Sequence, residues 1–225
     1  MSALRYPADG VLFDLDGTLL DTIADLAEGA NRMLAELGRP RRSLAEIHSF
    51  VGKGFPNLVR RCLTEDASAT EAEIEAALPV FRRHYGAVNG SHTRIYPGVL
   101  DTLEILRAQG RRLAVVTNKA EAFTFPLLER MGLVAYFGAV VAGDTLPVKK
   151  PDPAMLFHGC ELLGVAANRS VMIGDSANDA LAARAAGMPV LLVSYGYSEG
   201  MPVDSIDCDG LLSTALEALD RLQPL

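Results

Sequence analysis

The chain has 225 residues, 49% hydrophobic and 22% charged, a globular composition with room for a sizeable core and no signature of disorder. Its net charge of −7 argues against nonspecific nucleic-acid binding and requires local positive groups to draw in any anionic substrate. Cys62, Cys160 and Cys208 are widely spaced without a CxxC, so they read as reduced thiols, and no run is apolar and long enough to span a bilayer. The expected setting is the cytoplasm, with no membrane partner.

The first informative stretch is VLFDLDGTLL. Val11 to Phe13 form a short apolar run suited to a buried strand, which stops at two carboxylates, Asp14 and Asp16, followed by Gly17 and Thr18. Residues two apart share one face of an extended chain, so both acids can aim into one small volume, where they invite a cation or a shared proton. Alone, the same DxDG is also what a polar turn looks like.

Ile23, Leu26, Ala27, Ala30, Met33, Leu34 and Leu37 then repeat at three- and four-residue intervals, predicting a helix that ends at Gly38. Ser43 with Glu46 and Thr70 with Glu73 read as capping boxes, and Phe55 to Leu63 as helix interrupted near Pro56. Nothing from 21 to 93 reads as strand. From Tyr96 onward the pattern alternates: helix over Val99 to Ala108, strand over Arg112 to Thr117, helix over Ala122 to Met131, strand over Phe137 to Ala142. Asp152 as N-cap and Pro153 at the first helical position start a helix to Leu163, followed by strand (Val171 to Gly174), helix (Ala177 to Ala186) and strand (Val190 to Val193). The prediction is an α/β fold: a Rossmann-like, mostly parallel sheet core over 1–20 and 94–225, with an inserted small all-helical cap domain over 21–93.

Ligands of such sheets bind beyond the carboxyl ends of the strands. The strands deliver Asp14, Asp16 and Thr18; Thr117, Asn118 and Lys119; Lys149 and Lys150 after Gly143 and Asp144; and Asp175, Ser176 and Asp179. This set suits a phosphate monoester. Asp14 and Asp175 offer hard oxygen ligands for Mg²⁺, a lysine stabilises charge, and the Thr117 hydroxyl with neighbouring N–H groups can hold phosphoryl oxygens. Asp14 can then attack phosphorus, while Asp16 protonates the leaving oxygen and later activates water. Each piece also has a bland reading: polar loop for Thr117 to Lys119, solvated pair for Lys149 and Lys150, helix cap for Ser176 and Asp179.

These residues resemble the haloacid dehalogenase-like hydrolases. Asp14 to Thr18 (DLDGT) is similar to the first motif, Val116 to Asn118 to the second, Lys150 to Pro153 to the third and Gly174 to Asp179 to the fourth, in the family's order. The resemblance implies a mobile helical cap, catalytic Asp14, Asp16, Thr117 and Lys150, and phosphate binding by Thr18, Thr117, Asn118 and Lys150. It also implies Mg²⁺ held by Asp14, Asp175 and the backbone carbonyl of Asp16, and Asp179 as outer support or lysine partner. Lys149 is the reserve for Lys150. YPGVLDTLEILRAQG, LAVVTNK, FTFPLLERMGL, KKPDP and VSYGY are similar to bacterial phosphoglycolate phosphatases, implying hydrolysis of 2-phosphoglycolate. Other small phosphate esters, such as amino-sugar 6-phosphates, and phosphosugar mutation remain open. So does the role of Lys53 in Gly52-Lys53-Gly54, either a cap-loop contact to the substrate carboxylate or a solvated side chain. A phospho-acceptor signalling domain is the non-enzyme rival; the DxD spacing and the helical insertion argue against it.

Overall fold

The computed structural model describes residues 4–224 apart from 65 and 67. In chain order the elements are β1 (Gly10–Phe13), β2 (Leu20–Asp21), α1 (Ile23–Glu36), α2 (Leu44–Phe50), α3 (Phe55–Leu63), α4 (Glu71–Val88), β3 (Arg94–Ile95) and α5 (Val99–Ala108). They continue with β4 (Arg112–Val116), α6 (Glu121–Arg130), β5 (Ala139–Val141), α7 (Ala154–Leu163), β6 (Ser170–Gly174), α8 (Ala177–Ala185), β7 (Val190–Val193) and β8 (Gly210–Leu212).

Six strands form a parallel sheet in the order β5-β4-β1-β6-β7-β8. β1 lies inside it, with Phe13 opposite Val115 on one side and Ile173 on the other, so all its residues are buried and its sequence is an unbroken apolar run. Alternate residues face opposite layers. Val11 and Phe13 join Val115 and Ile173 under Leu103 of α5 and Leu127 of α6, whereas Leu12, Val116 and Met172 meet Leu156 of α7 and Ala183 of α8. The expected α/β architecture is therefore present, with the functional loops at one sheet edge.

The helices α1 to α4 gather a second apolar cluster, including Met33, Ile47, Val59, Phe81 and Tyr85. Its main seam is α1 against α4, where Gly29 allows close approach: a Cβ there would stand 3.0 Å from Tyr85. α2 and α4 start at the expected capping boxes, Ser43–Glu46 and Thr70–Glu73. Pro56 does not interrupt α3; it occupies the first turn, where its missing N–H has no intrahelical partner to lose.

Three local expectations are corrected. The connections into and out of the helical segment carry strands, β2 and β3, paired antiparallel with Leu20 opposite Ile95. Two-residue strands leave no periodicity to detect. β8 joins the sheet beyond β7 without an apolar run, because it is an edge strand exposing Leu211. At α7 the cap position falls on Pro153, with Asp152 one residue earlier accepting from the Ala154 N–H at 2.9 Å.

Candidate active site

β1 stops where the chemistry begins. The Asp14 N–H still donates to the Ile173 carbonyl at 2.9 Å, holding the residue at the strand end, while its Oδ1 accepts from the Leu15 N–H at 2.8 Å. The chain then turns tightly, with the Leu15 carbonyl accepting from the Leu19 and Leu20 N–H groups. Gly17 permits that turn. It has φ +87°, and a Cβ on it would lie 2.3 Å from Asp175 Oδ2. A single position therefore needs glycine both for its backbone and for the carboxylate pressed against it.

Lys150 links the nearby acids. Its buried ammonium lies 2.9 Å from Asp14 Oδ1 and 2.6 Å from Asp179 Oδ1. Lys149, the reserve, is exposed. Asp179 combines the two readings its sequence position allowed. Its Oδ2 accepts from the Asp175 and Ser176 N–H groups and the Ser176 hydroxyl, as a helix cap does, while Oδ1 holds Lys150. Asn118 brackets the same lysine through its backbone, accepting from the Lys150 N–H at 2.9 Å and donating to its carbonyl at 3.0 Å.

Carboxylate oxygens of Asp14, Asp175 and Asp179 lie within 4.8 Å of one another. Burial, followed by repulsion from Asp179 and Asp14, pushes the Asp175 carboxyl well above its ordinary range. Burial likewise drives Asp14 up to about 7, although Lys150 pulls the other way. Burial opposes the Lys150 charge, and Asp14 with Asp179 outweigh it, holding the ammonium above its ordinary value. Three acids against one lysine leave an excess negative charge in a dry place, and every donor is a hard oxygen. That set fits a divalent cation of the Mg²⁺ type. Asp179 is committed to Lys150, so Asp14 and Asp175 are the side chains placed to hold it.

Thr18 and Asp16 take positions the motif alone does not reveal. The Thr18 hydroxyl donates to Asp175 Oδ1 at 3.1 Å, so it steadies that carboxylate; the expected phosphate contact is not where its hydroxyl points. The Asp16 side chain turns away from the acidic cluster. It accepts from the Thr22 hydroxyl at 2.7 Å, and both its oxygens lie 3.0 Å from Lys119 Nζ.

A pocket between sheet edge and helices is walled by Asp14, Asp16, Thr117, Asn118, Lys119 and Asp175 from below and by Leu26, Val51, Gly52, Gly54, Phe55 and Leu58 from above, and its open space is about 50 Å³. Gly52 and Gly54 border it. Lys53 does not: its exposed side chain lies in a neighbouring concavity with Phe50, Asn57 and Arg61.

Two participants had no role assigned from the sequence. Lys119 was expected at the sheet edge beside Thr117 and Asn118, and nothing in the sequence gave it a partner. Tyr197 donates its N–H to Asp175 Oδ2 at 2.7 Å, while its hydroxyl accepts from the Thr22 N–H at 2.6 Å, tying the acidic cluster to the start of α1. Its signal was the VSYGY stretch after β7, which carries no chemistry by itself.

Residues 11–193 match the model of the haloacid dehalogenase-like hydrolase family, spanning the sheet core and the helical insertion. The chain belongs to that family. A phosphoglycolate phosphatase of Nitrosospira multiformis is 49% identical over 219 residues, 96% of each chain. One of Thiobacillus denitrificans is 46% identical over 97% of both. Among solved structures, a predicted phosphoglycolate phosphatase from Haemophilus somnus 129PT superimposes with a TM-score of 0.88 at 33% identity, covering 95% of this chain and 97% of that one. Family membership makes the chain a hydrolase.

Proposed function

We propose that this hydrolase is a Mg²⁺-dependent phosphatase that converts 2-phosphoglycolate to glycolate and phosphate through an aspartyl-phosphate intermediate. The observation that carries the reading is the division of labour between two carboxylates on one loop: Asp14 lies in the acidic cluster beside Lys150, Asp16 apart from it beside Lys119. When bound, Mg²⁺ supplies charge neutralisation between the acids and the phosphoryl oxygens. Asp14 is the nucleophile. Lys150 holds it in place and offers positive charge to the phosphoryl group, and the Thr117 hydroxyl lies on the pocket wall to bind a second oxygen. Asp16 hands a proton to the leaving oxygen as the P–O ester bond breaks and the Asp14–P bond forms. It then removes a proton from the water that attacks phosphorus, releasing phosphate and restoring Asp14.

The named relatives support the substrate, because they match over nearly their whole length. Comparing kcat/KM for 2-phosphoglycolate, glucose 6-phosphate, an amino-sugar 6-phosphate and β-glucose 1-phosphate, with and without Mg²⁺, tests the assignment. The expected result is Mg²⁺-dependent release of phosphate, fastest from 2-phosphoglycolate. A faster sugar phosphate would overturn the substrate, and no phosphate release from any ester would overturn the activity.

A further inference from the structure

The position of Lys119 has a chemical meaning of its own, which rests on the phosphatase reading of the same pocket. Among the described residues walling that pocket, Lys119 brings the only ammonium or guanidinium group. Its residue is 4% exposed, its Nζ contacts both Asp16 oxygens at 3.0 Å, and it faces the rings of Tyr85 at 4.9 Å and Phe55 at 5.9 Å. The helices thus meet this cation with the rings of Tyr85 and Phe55, and the carboxylate at its Nζ belongs to the catalytic loop. Asp16 takes two of its N–H donors and the Tyr85 hydroxyl accepts the third, and the ammonium is a compact charge that can rotate to exchange that neutral hydroxyl for an anionic acceptor.

The order of groups across the pocket fixes what that acceptor is. Asp14 marks the phosphorus, Asp16 marks the leaving oxygen, and Lys119 touches Asp16. A substituent on the carbon next to the leaving oxygen therefore falls beside Lys119. In 2-phosphoglycolate that substituent is a carboxylate. We propose that Lys119 is the specificity-determining residue that reads this carboxylate, so that the pocket selects phosphate esters of 2-hydroxy acids. Removing water from around the ion pair strengthens the contact.

The test compares 2-phosphoglycolate with 2-hydroxyethyl phosphate, which carries a hydroxymethyl group in place of the carboxylate. The readout is the ratio of their kcat/KM values, in the wild-type enzyme and in Lys119→Met and Lys119→Gln, with circular dichroism confirming the fold. Any loss common to both esters, from a disturbed Asp16, cancels in the ratio. The wild-type ratio favours 2-phosphoglycolate, and each variant lowers it by about 10- to 100-fold, the worth of one charge-assisted hydrogen bond. A wild-type preference that survives in the variants within about threefold overturns the role of Lys119 and leaves the substrate assignment standing. A wild-type enzyme without the preference overturns both. Inhibition of the wild-type enzyme gives a check that needs no variant: glycolate competes with substrate and ethylene glycol does not, and equal inhibition by the two contradicts the proposal.

Discussion

Asp14 bears the clearest mark of function at the scale of single residues. An isolated carboxyl titrates at 3.8, and burial lifts this one to about 7. Between those values the folded chain binds a proton that the unfolded chain lacks, so the metal-free protein loses stability as pH rises through that window. A divalent cation competes with the same proton. The expected outcome is a melting temperature that falls from pH 5.5 to pH 8 without metal, and a Mg²⁺-induced rise that is several degrees larger at pH 8. Thermal melts at both pH values check it, and an equal rise at the two would show that the ion does not bind the raised carboxyls. Lys150 is the partner of this effect. Lys150→Met leaves Asp14 and Asp179 without their buried counter-charge, and kcat is expected to fall about 10²- to 10³-fold, measured with saturating Mg²⁺.

Asp25 plays the matching part at the scale of elements, joining helix to linker. From the first turn of α1 it accepts hydrogen bonds from the N–H groups of Gly90, His92 and Thr93 and from the Thr93 hydroxyl, at 2.6 to 3.1 Å, fully buried. It ties the way into the helical segment to the way out, next to the β2–β3 pair. Asp25→Ala orphans these donors and is expected to cost about 3 kcal/mol or more, read as a lower urea midpoint at unchanged slope. An effect below about 1 kcal/mol would mean that water replaces the carboxylate. Sequence periodicity found α1 but not this clasp. A helix face announces itself by spacing, whereas a side chain that caps a loop 65 residues away has no spacing to read. For the same reason the five buried parallel strands, β1 and β4 to β7, were legible as apolar runs, while β2, β3 and β8, too short or too exposed, were not.

The whole molecule assembles its chemistry from loops that only the sheet brings together. The acids and Lys150 were legible because catalysis at a sheet edge restricts which residue types follow which strand, and Asp14, Asp175 and Asp179 converge as that rule requires. The partners of Asp16 were not legible: Lys119 lies 103 residues away and Thr22 on the linker, and their meeting depends on how the helical layer packs over the core. The direction of Lys53 was equally hidden, because a glycine-flanked loop can present its side chain to either side. The division of the chain into a core and a cap that closes over it remains our proposal, and the separate apolar cluster of α1 to α4 with its two short linkers supports it.

The account rests on covalent chemistry at Asp14, and acid-quenched turnover with mass mapping of the peptides tests that most directly. During hydrolysis of 2-phosphoglycolate with Mg²⁺, a phosphoryl adduct is expected on the peptide containing Asp14, and Asp14→Asn, still folded, is expected to lose both the adduct and at least about 10⁴-fold in kcat. Steady release of phosphate with no adduct, together with substantial activity in Asp14→Asn, would contradict it.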